Sequence, residues 1–145
     1  MPPGSARVLV KLESADPTGS MKDRMACSAI LEAASGGRLS PADTVVEDAA
    51  GTTGISLAFV CAVLGYRLQM AFSDAFSDEK RRAMEAFGAT VTDVPSEGGR
   101  IMQGLIRGMI AKAKELSAEP GHWRSDQLNN HDAIDGYLPI GEEIW

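Results

Sequence analysis

Glu13-Ser14-Ala15-Asp16-Pro17-Thr18-Gly19-Ser20-Met21-Lys22-Asp23-Arg24 is the stretch on which the reading of this chain turns. Pro17 sets φ and Gly19 relaxes it, which suits a tight turn. Ser20 is a helix-capping residue type, and Lys22 then falls in the first turn of the helix it caps. The unpaired N–H groups of a first turn carry partial positive charge. A lysine placed there stands against the dipole, which disfavours its ammonium form, and an uncharged amine is what a lysine nucleophile needs.

Outward from this turn the chain alternates between two patterns. Upstream, Arg7-Val8-Leu9-Val10-Lys11-Leu12-Glu13 has the partial alternation and β-branching of a strand. Downstream, a helix is predicted over 22–34, with Met25, Ala29, Ile30 and Ala33 on one stripe and Gly36-Gly37 as its stop. Ser40-Pro41 predicts one short turn. A strand at 44–47 runs into the small-residue loop Asp48-Ala49-Ala50-Gly51-Thr52-Thr53-Gly54. The helix after it, 55–64, is apolar on most sides, which predicts burial, and Gly65 closes it. Strand 66–72, a helix opened by Ser77-Asp78-Glu79 and ending near Phe87, and strand 90–94 repeat the pattern. A longer helix places Ile101, Leu105, Met109, Ala113 and Leu116 on its buried face. Its Gly104 and Gly108 read either as a close-packing pair or as simply tolerated glycines. A short strand around Trp123, the polar run Ser125-Asp126-Gln127-Leu128-Asn129-Asn130 and a last helix from Ile134 or Tyr137 complete the chain.

Strands alternating with helices predict an α/β fold: a doubly wound, mainly parallel sheet with helices on both faces, built as a single domain over 1–145. Such sheets bind ligands beyond the carboxyl ends of their strands. The turn before Lys22, the loop 48–54 and the loop 125–130 all follow predicted strands, so they are expected to converge on one rim.

Composition narrows the partners. The 145 residues are 44% hydrophobic, enough for a real core, and carry a net charge of −6, which argues against nucleic acid or an anionic membrane. No stretch is long and apolar enough to span a bilayer. Met1-Pro2-Pro3-Gly4-Ser5 lacks the basic and apolar regions of a signal peptide, so the expected location is cytoplasmic. Cys27 and Cys61 sit inside helical patterns, away from any metal-binding spacing, and are expected to be buried and reduced. His122 and His131 have no ligand-like companions, so no metal site is expected; His131 is read as a loop or surface histidine.

The string from Asp16 to Arg24 resembles the lysine loop N-P-T-G-S-x-K-D-R of the cysteine synthase family, the fold-type-II pyridoxal-phosphate enzymes. Asp16 stands where that family has Asn; the fixed positions from Pro17 to Arg24 agree. The family's second loop reads T-S-G-N-T-G, and here Gly51, Thr53 and Gly54 match it. Ala49 and Ala50 lack two hydroxyls, and Thr52 replaces an Asn whose donor–acceptor pair it cannot copy. Backbone N–H groups at a helix start still make an anion pocket. Asp126-Gln127-Leu128 resembles the family's D-Q-F segment, and Gly141-Glu142-Glu143-Ile144-Trp145 its T-G-x-E-I-W helix end. The likeness runs through nearly the whole chain.

This resemblance implies a tryptophan synthase β-like fold and a β-replacement or β-elimination on an O-activated serine, as in cysteine biosynthesis. It implies that Lys22 forms a Schiff base with pyridoxal 5'-phosphate and moves the α-proton, with Thr52 beside the cofactor. It implies that Gly51, Thr52, Thr53, Gly54 and Gln127 hold the carboxylate of a small amino-acid substrate, in a homodimer. A serine or threonine dehydratase uses a similar lysine loop and is the rival enzyme. The family's phosphate-binding loop, G-T-G-G-T, lies well after its E-I-W segment and is not among these residues; the family's early T-P-L-V-R-L segment is also missing. The chain is therefore expected to correspond to the lysine-bearing N-terminal part and not to be a competent enzyme by itself. A non-catalytic binding module is the remaining alternative, favoured by Ala49, Ala50 and Thr52.

Overall fold

The computed structural model describes residues 4–145. Met1, Pro2 and Pro3, part of the start read against a signal peptide, lie outside the described residues. Four strands, β1 (Thr44–Asp48), β2 (Arg67–Phe72), β3 (Thr90–Asp93) and β4 (His122–Arg124), pair in parallel in the order β3-β2-β1-β4. Val45 of β1 stands beside Leu68 of β2 and Trp123 of β4, so β1 is flanked on both edges. The helices are α1 (Lys22–Ser35), α2 (Thr52–Leu64), α3 (Asp78–Ala86), α4 (Gln103–Ser117), α5 (His131–Asp135) and α6 (Leu138–Ile144).

Side-chain alternation along β1 decides which layer each helix joins. Val45 packs with Ala26 and Ile30 of α1, Leu57 and Cys61 of α2 and Met84 of α3. Val46 turns the other way, to Ala113 and Leu116 of α4. Both faces of the sheet are thus covered, which is why the adjacent Val45 and Val46 of β1 are both fully buried. In α2, seven of thirteen residues are buried, in keeping with its apolar sequence. Gly65 ends it in the left-handed region at φ 79°, with the Tyr66 N–H returning to the Cys61 carbonyl at 2.9 Å.

The connection order creates the feature that matters for function. From β1 the chain steps through α2, β2, α3 and β3 towards one edge, with both helices on one face. Helix α4 then carries it back across the opposite face to place β4 on the other side of β1. Strand order reverses between β1 and β4. The loops leaving the carboxyl ends of these two strands border the crevice where a doubly wound sheet binds ligands.

Four sequence expectations need correction. The segment 7–13 pairs with none of the four strands: it has no regular secondary structure before a 3-10 turn at Glu13–Ala15, and leaves Val8 77% and Val10 75% exposed. Alternation marks a chain suited to a sheet, but a strand also needs a free edge beside it. Ile101 precedes α4 and is exposed instead of lying on its buried face. Cys27 is exposed, while Cys61 is buried as expected. The last helix is two helices separated by Gly136 and Tyr137, with Gly136 packed so tightly on α1 that a Cβ would lie 2.7 Å from the Arg24 carbonyl oxygen.

Candidate active site

The turn ahead of Lys22 is closed by the Gly19 N–H donating to the Asp16 carbonyl at 2.8 Å, with Gly19 at φ 76°. Met21, not Ser20, occupies the capping position of α1, but the Ser20 hydroxyl accepts from the Lys22 N–H at 3.2 Å. Buried Asp23 reaches back over the turn: its carboxylate accepts from the Thr18 N–H at 2.8 Å and from the Thr18 hydroxyl at 2.5 Å. Thr18 Oγ1 also lies 3.1 Å from Ser56 Oγ in α2. The lysine loop is therefore bonded to the first turn of α1 and to the N-terminal half of α2 together. Lys22 is half-buried, and its Nζ donates to the Tyr137 hydroxyl at 2.9 Å while lying 5.3 Å from the centre of that ring. Among the described residues it has no carboxylate partner.

At the crevice, the loops after β1 and β4 meet. Thr53, buried in the first turn of α2, donates its hydroxyl to Gln127 Oε1 at 2.8 Å. No side chain caps α2, and Gly51 and exposed Thr52 open its first turn. The uncapped N–H groups and the helix dipole there favour an anion. Lys80 of α3 adds a formal charge of the right sign: a Cβ on Gly51 would sit 3.3 Å from its Nζ. Gly54 has a packing duty instead, since a Cβ there would meet Met84 Sδ at 2.4 Å and Met70 Cε at 3.2 Å. Of the residues singled out in the sequence, Thr53 and Gln127 touch, Gly51, Thr52 and Gly54 share the same first turn, and Lys22 contacts Tyr137 rather than any of these.

Three residues of this region escaped the sequence reading. Glu47, 1% exposed at the end of β1, accepts from Ser125 Oγ at 2.5 Å and from the Gln127 N–H at 3.0 Å through one oxygen, and from the Asp48 N–H at 2.9 Å through the other. Burial pushes its carboxyl up to about 7, against the opposing pull of those hydrogen bonds. Tyr137 was invisible as a partner because it lies 115 residues from Lys22. Lys80 sat inside a charged helix start with nothing to set it apart. The described residues contain no cluster able to hold a metal and no helix long and apolar enough to cross a membrane.

Comparison with known proteins agrees with this geometry. Residues 3–145 match the model of the pyridoxal-phosphate dependent enzyme family. The chain is 42% identical to cysteine synthase of Staphylococcus aureus over 126 residues, which is 87% of this chain and 39% of that protein. It is 38% identical to cysteine synthase B of Escherichia coli over 145 residues, 99% of this chain and 46% of that protein. Among solved structures, O-ureido-L-serine synthase superposes with a TM-score of 0.82 at 36% identity, covering 92% of this chain and 41% of the other. The chain thus spans less than half the length of the curated relatives it matches. With the sheet, its switch point and the lysine turn arranged as they are, the chain belongs to the pyridoxal-phosphate dependent enzyme family.

Proposed function

We propose that this chain forms the lysine-bearing and carboxylate-binding part of a cysteine synthase-like enzyme, acting by β-replacement or β-elimination on an O-activated serine. The observation that carries the reading is the Thr53–Gln127 bond, which joins the two loops across the switch point of the sheet. The donor set fits a pyridoxal phosphate enzyme. Lys22 offers a half-buried amine that donates to the Tyr137 hydroxyl and has no carboxylate partner among the described residues, and a lysine amine is the nucleophile that condenses with an aldehyde. Pyridoxal phosphate, when bound, supplies an electron sink for negative charge at the amino acid's α-carbon. Lys22 Nζ would hold its aldehyde and carry the α-proton, with Thr52 beside it. Gly51, Thr52, Thr53 and Gly54 would receive the substrate carboxylate on the α2 dipole, Gln127 would donate to it, and Lys80 would add attraction. One domain over 1–145, cytoplasmic residence and a homodimer belong to the same proposal.

The test is direct. Pyridoxal phosphate added to the folded chain and reduced with borohydride should leave a pyridoxyl mass on the peptide containing Lys22, and Lys22→Ala should abolish it. A folded preparation with no such adduct overturns the reading. Ala49 and Ala50, which replace hydroxyl residues of the resembled loop, favour a second reading, a non-catalytic binding module. Native mass and cofactor titration separate the two, since a cofactor-free chain that docks a larger subunit is the module.

A further inference from the structure

Glu47 is a carboxylate where a doubly wound sheet usually places an apolar residue, buried near the carboxyl end of the strand that flanks the crevice. Its burial is expensive unless every lone pair is used. The structure uses them asymmetrically. One oxygen serves its own strand through the Asp48 N–H; the other serves only the loop after β4, through Ser125 Oγ and the Gln127 N–H. Ser125 is itself buried, its N–H extends the sheet by donating to the Val46 carbonyl at 3.0 Å, and its carbonyl accepts from Asn130 Nδ2. Beyond Ser125 the chain passes through Asp126 at φ 45°, a left-handed conformation that a non-glycine residue adopts only when its neighbours hold it there. Both Glu47 bonds to this loop flank that residue.

We propose that Glu47 is a positioning residue of the crevice: its ionised carboxylate draws Ser125 and the Gln127 backbone onto the end of β1, and so sets the Gln127 side chain where Thr53 bonds it. The inference rests on the functional reading only in giving Gln127 a ligand to meet; the bonds themselves do not depend on it. Bonds to a charged acceptor are roughly twice as strong as those to a neutral one. Protonated, Glu47 can turn its O–H to Ser125 and keep all its partners, but it grips the Gln127 amide more weakly. The position of the Gln127 loop therefore responds to a proton on Glu47. The charged groups around it are few. Asp48 adjoins it on β1 and opposes its ionisation, and Arg124 of β4 pairs with Asp48 at 2.9 Å and with Asp126 at 3.4 Å. Met70 faces it from β2, the first turn of α2 brings Thr52 and Thr53, and α1, on the same side of the sheet, brings Lys22 and Asp23.

Nuclear magnetic resonance of the whole chain tests this. The amide N–H and the side-chain NH2 of Gln127, and the Asp48 N–H, should titrate together with one midpoint near neutral pH. In Glu47→Gln that shared titration should vanish. Ser125→Ala removes a bond that favours the ionised form, so it should raise the midpoint by about one pH unit, a shift that a merely structural role would not produce. Gln127 resonances that stay flat across the range, or that titrate unchanged in Glu47→Gln, overturn the proposal; if that variant does not fold, an unmoved midpoint in Ser125→Ala does so. These outcomes are independent of whether Lys22 takes up pyridoxal phosphate, so the two readings can fail separately.

Discussion

The guanidinium of Arg24 grips the carboxylate of Glu143 through two bonds of 2.8 Å each, joining the lysine turn to the last helix across 119 residues. Lys11 shares Glu143, and Glu13 holds Arg24 from the other side at 2.9 Å. The hydrogen bonds from Arg24 and Lys11 pull the Glu143 carboxyl down to about 2 from an ordinary 4.5. A lowered carboxylate contributes stability above its unfolded value and loses it as pH falls towards 2. Glu143→Gln should therefore lower stability at neutral pH and flatten the acid limb of the stability curve between pH 4.5 and 2, as read by denaturant midpoints.

Glu47 has the opposite sign. Its folded value, about 7, lies above its ordinary 4.5. Its contribution is greatest below pH 4.5 and declines as pH rises through 7, by on the order of 3 kcal/mol at most. Urea titrations at pH 5 and pH 8 should show the wild-type chain losing stability over this interval and Glu47→Gln losing much less.

Thr53→Val keeps the shape of the side chain and removes its hydroxyl. Gln127 Oε1 loses its donor, at a cost of about 1 kcal/mol in chemical denaturation. Resonances of residues 125–128 should shift while those of α4 do not.

Two glycines separate soft from hard neighbours. An alanine at Gly54 meets the flexible ends of Met84 and Met70, and these can give; one at Gly136 meets the Arg24 carbonyl oxygen at 2.7 Å and Ser28 Cβ at 2.8 Å, and these cannot. Overpacking costs about 1–3 kcal/mol, and Gly136→Ala should lie at the upper end with Gly54→Ala below it. Thermal melts of the two variants side by side make the comparison.

Val8→Ser and Val10→Ser should change stability by no more than about 0.5 kcal/mol, because neither side chain is covered. A larger loss in either would mean that the segment pairs with something in solution.

Helices α1, α2 and α3 were legible because each is bounded by a residue with a physical duty: Gly36-Gly37 after α1, Gly65 after α2, Ser77 before α3, whose hydroxyl accepts from the Lys80 N–H at 3.4 Å. The meeting of the loops at Gly51–Gly54 and Gln127 followed from the alternation of strands and helices. The segment 7–13 misled because periodicity reports what a chain can pair as, and whether an edge lies beside it is a property of the assembled sheet. Glu47 was hidden for the converse reason. One acidic residue at a strand end looks solvated until the loop that satisfies it is brought over from 78 residues away. Tyr137 escaped in the same way.

Successive side chains of β1 face different helices, Val45 the α1–α2 layer and Val46 α4. Sliding this strand by a single position would aim Glu47 at α4 and leave Ser125 and the Gln127 N–H without their acceptor. Lengthening or shortening the chain by one residue within 44–48 should thus be far more damaging than any exchange of one side chain for another there. The number of residues in this strand is thus held more tightly than the identity of any one of them.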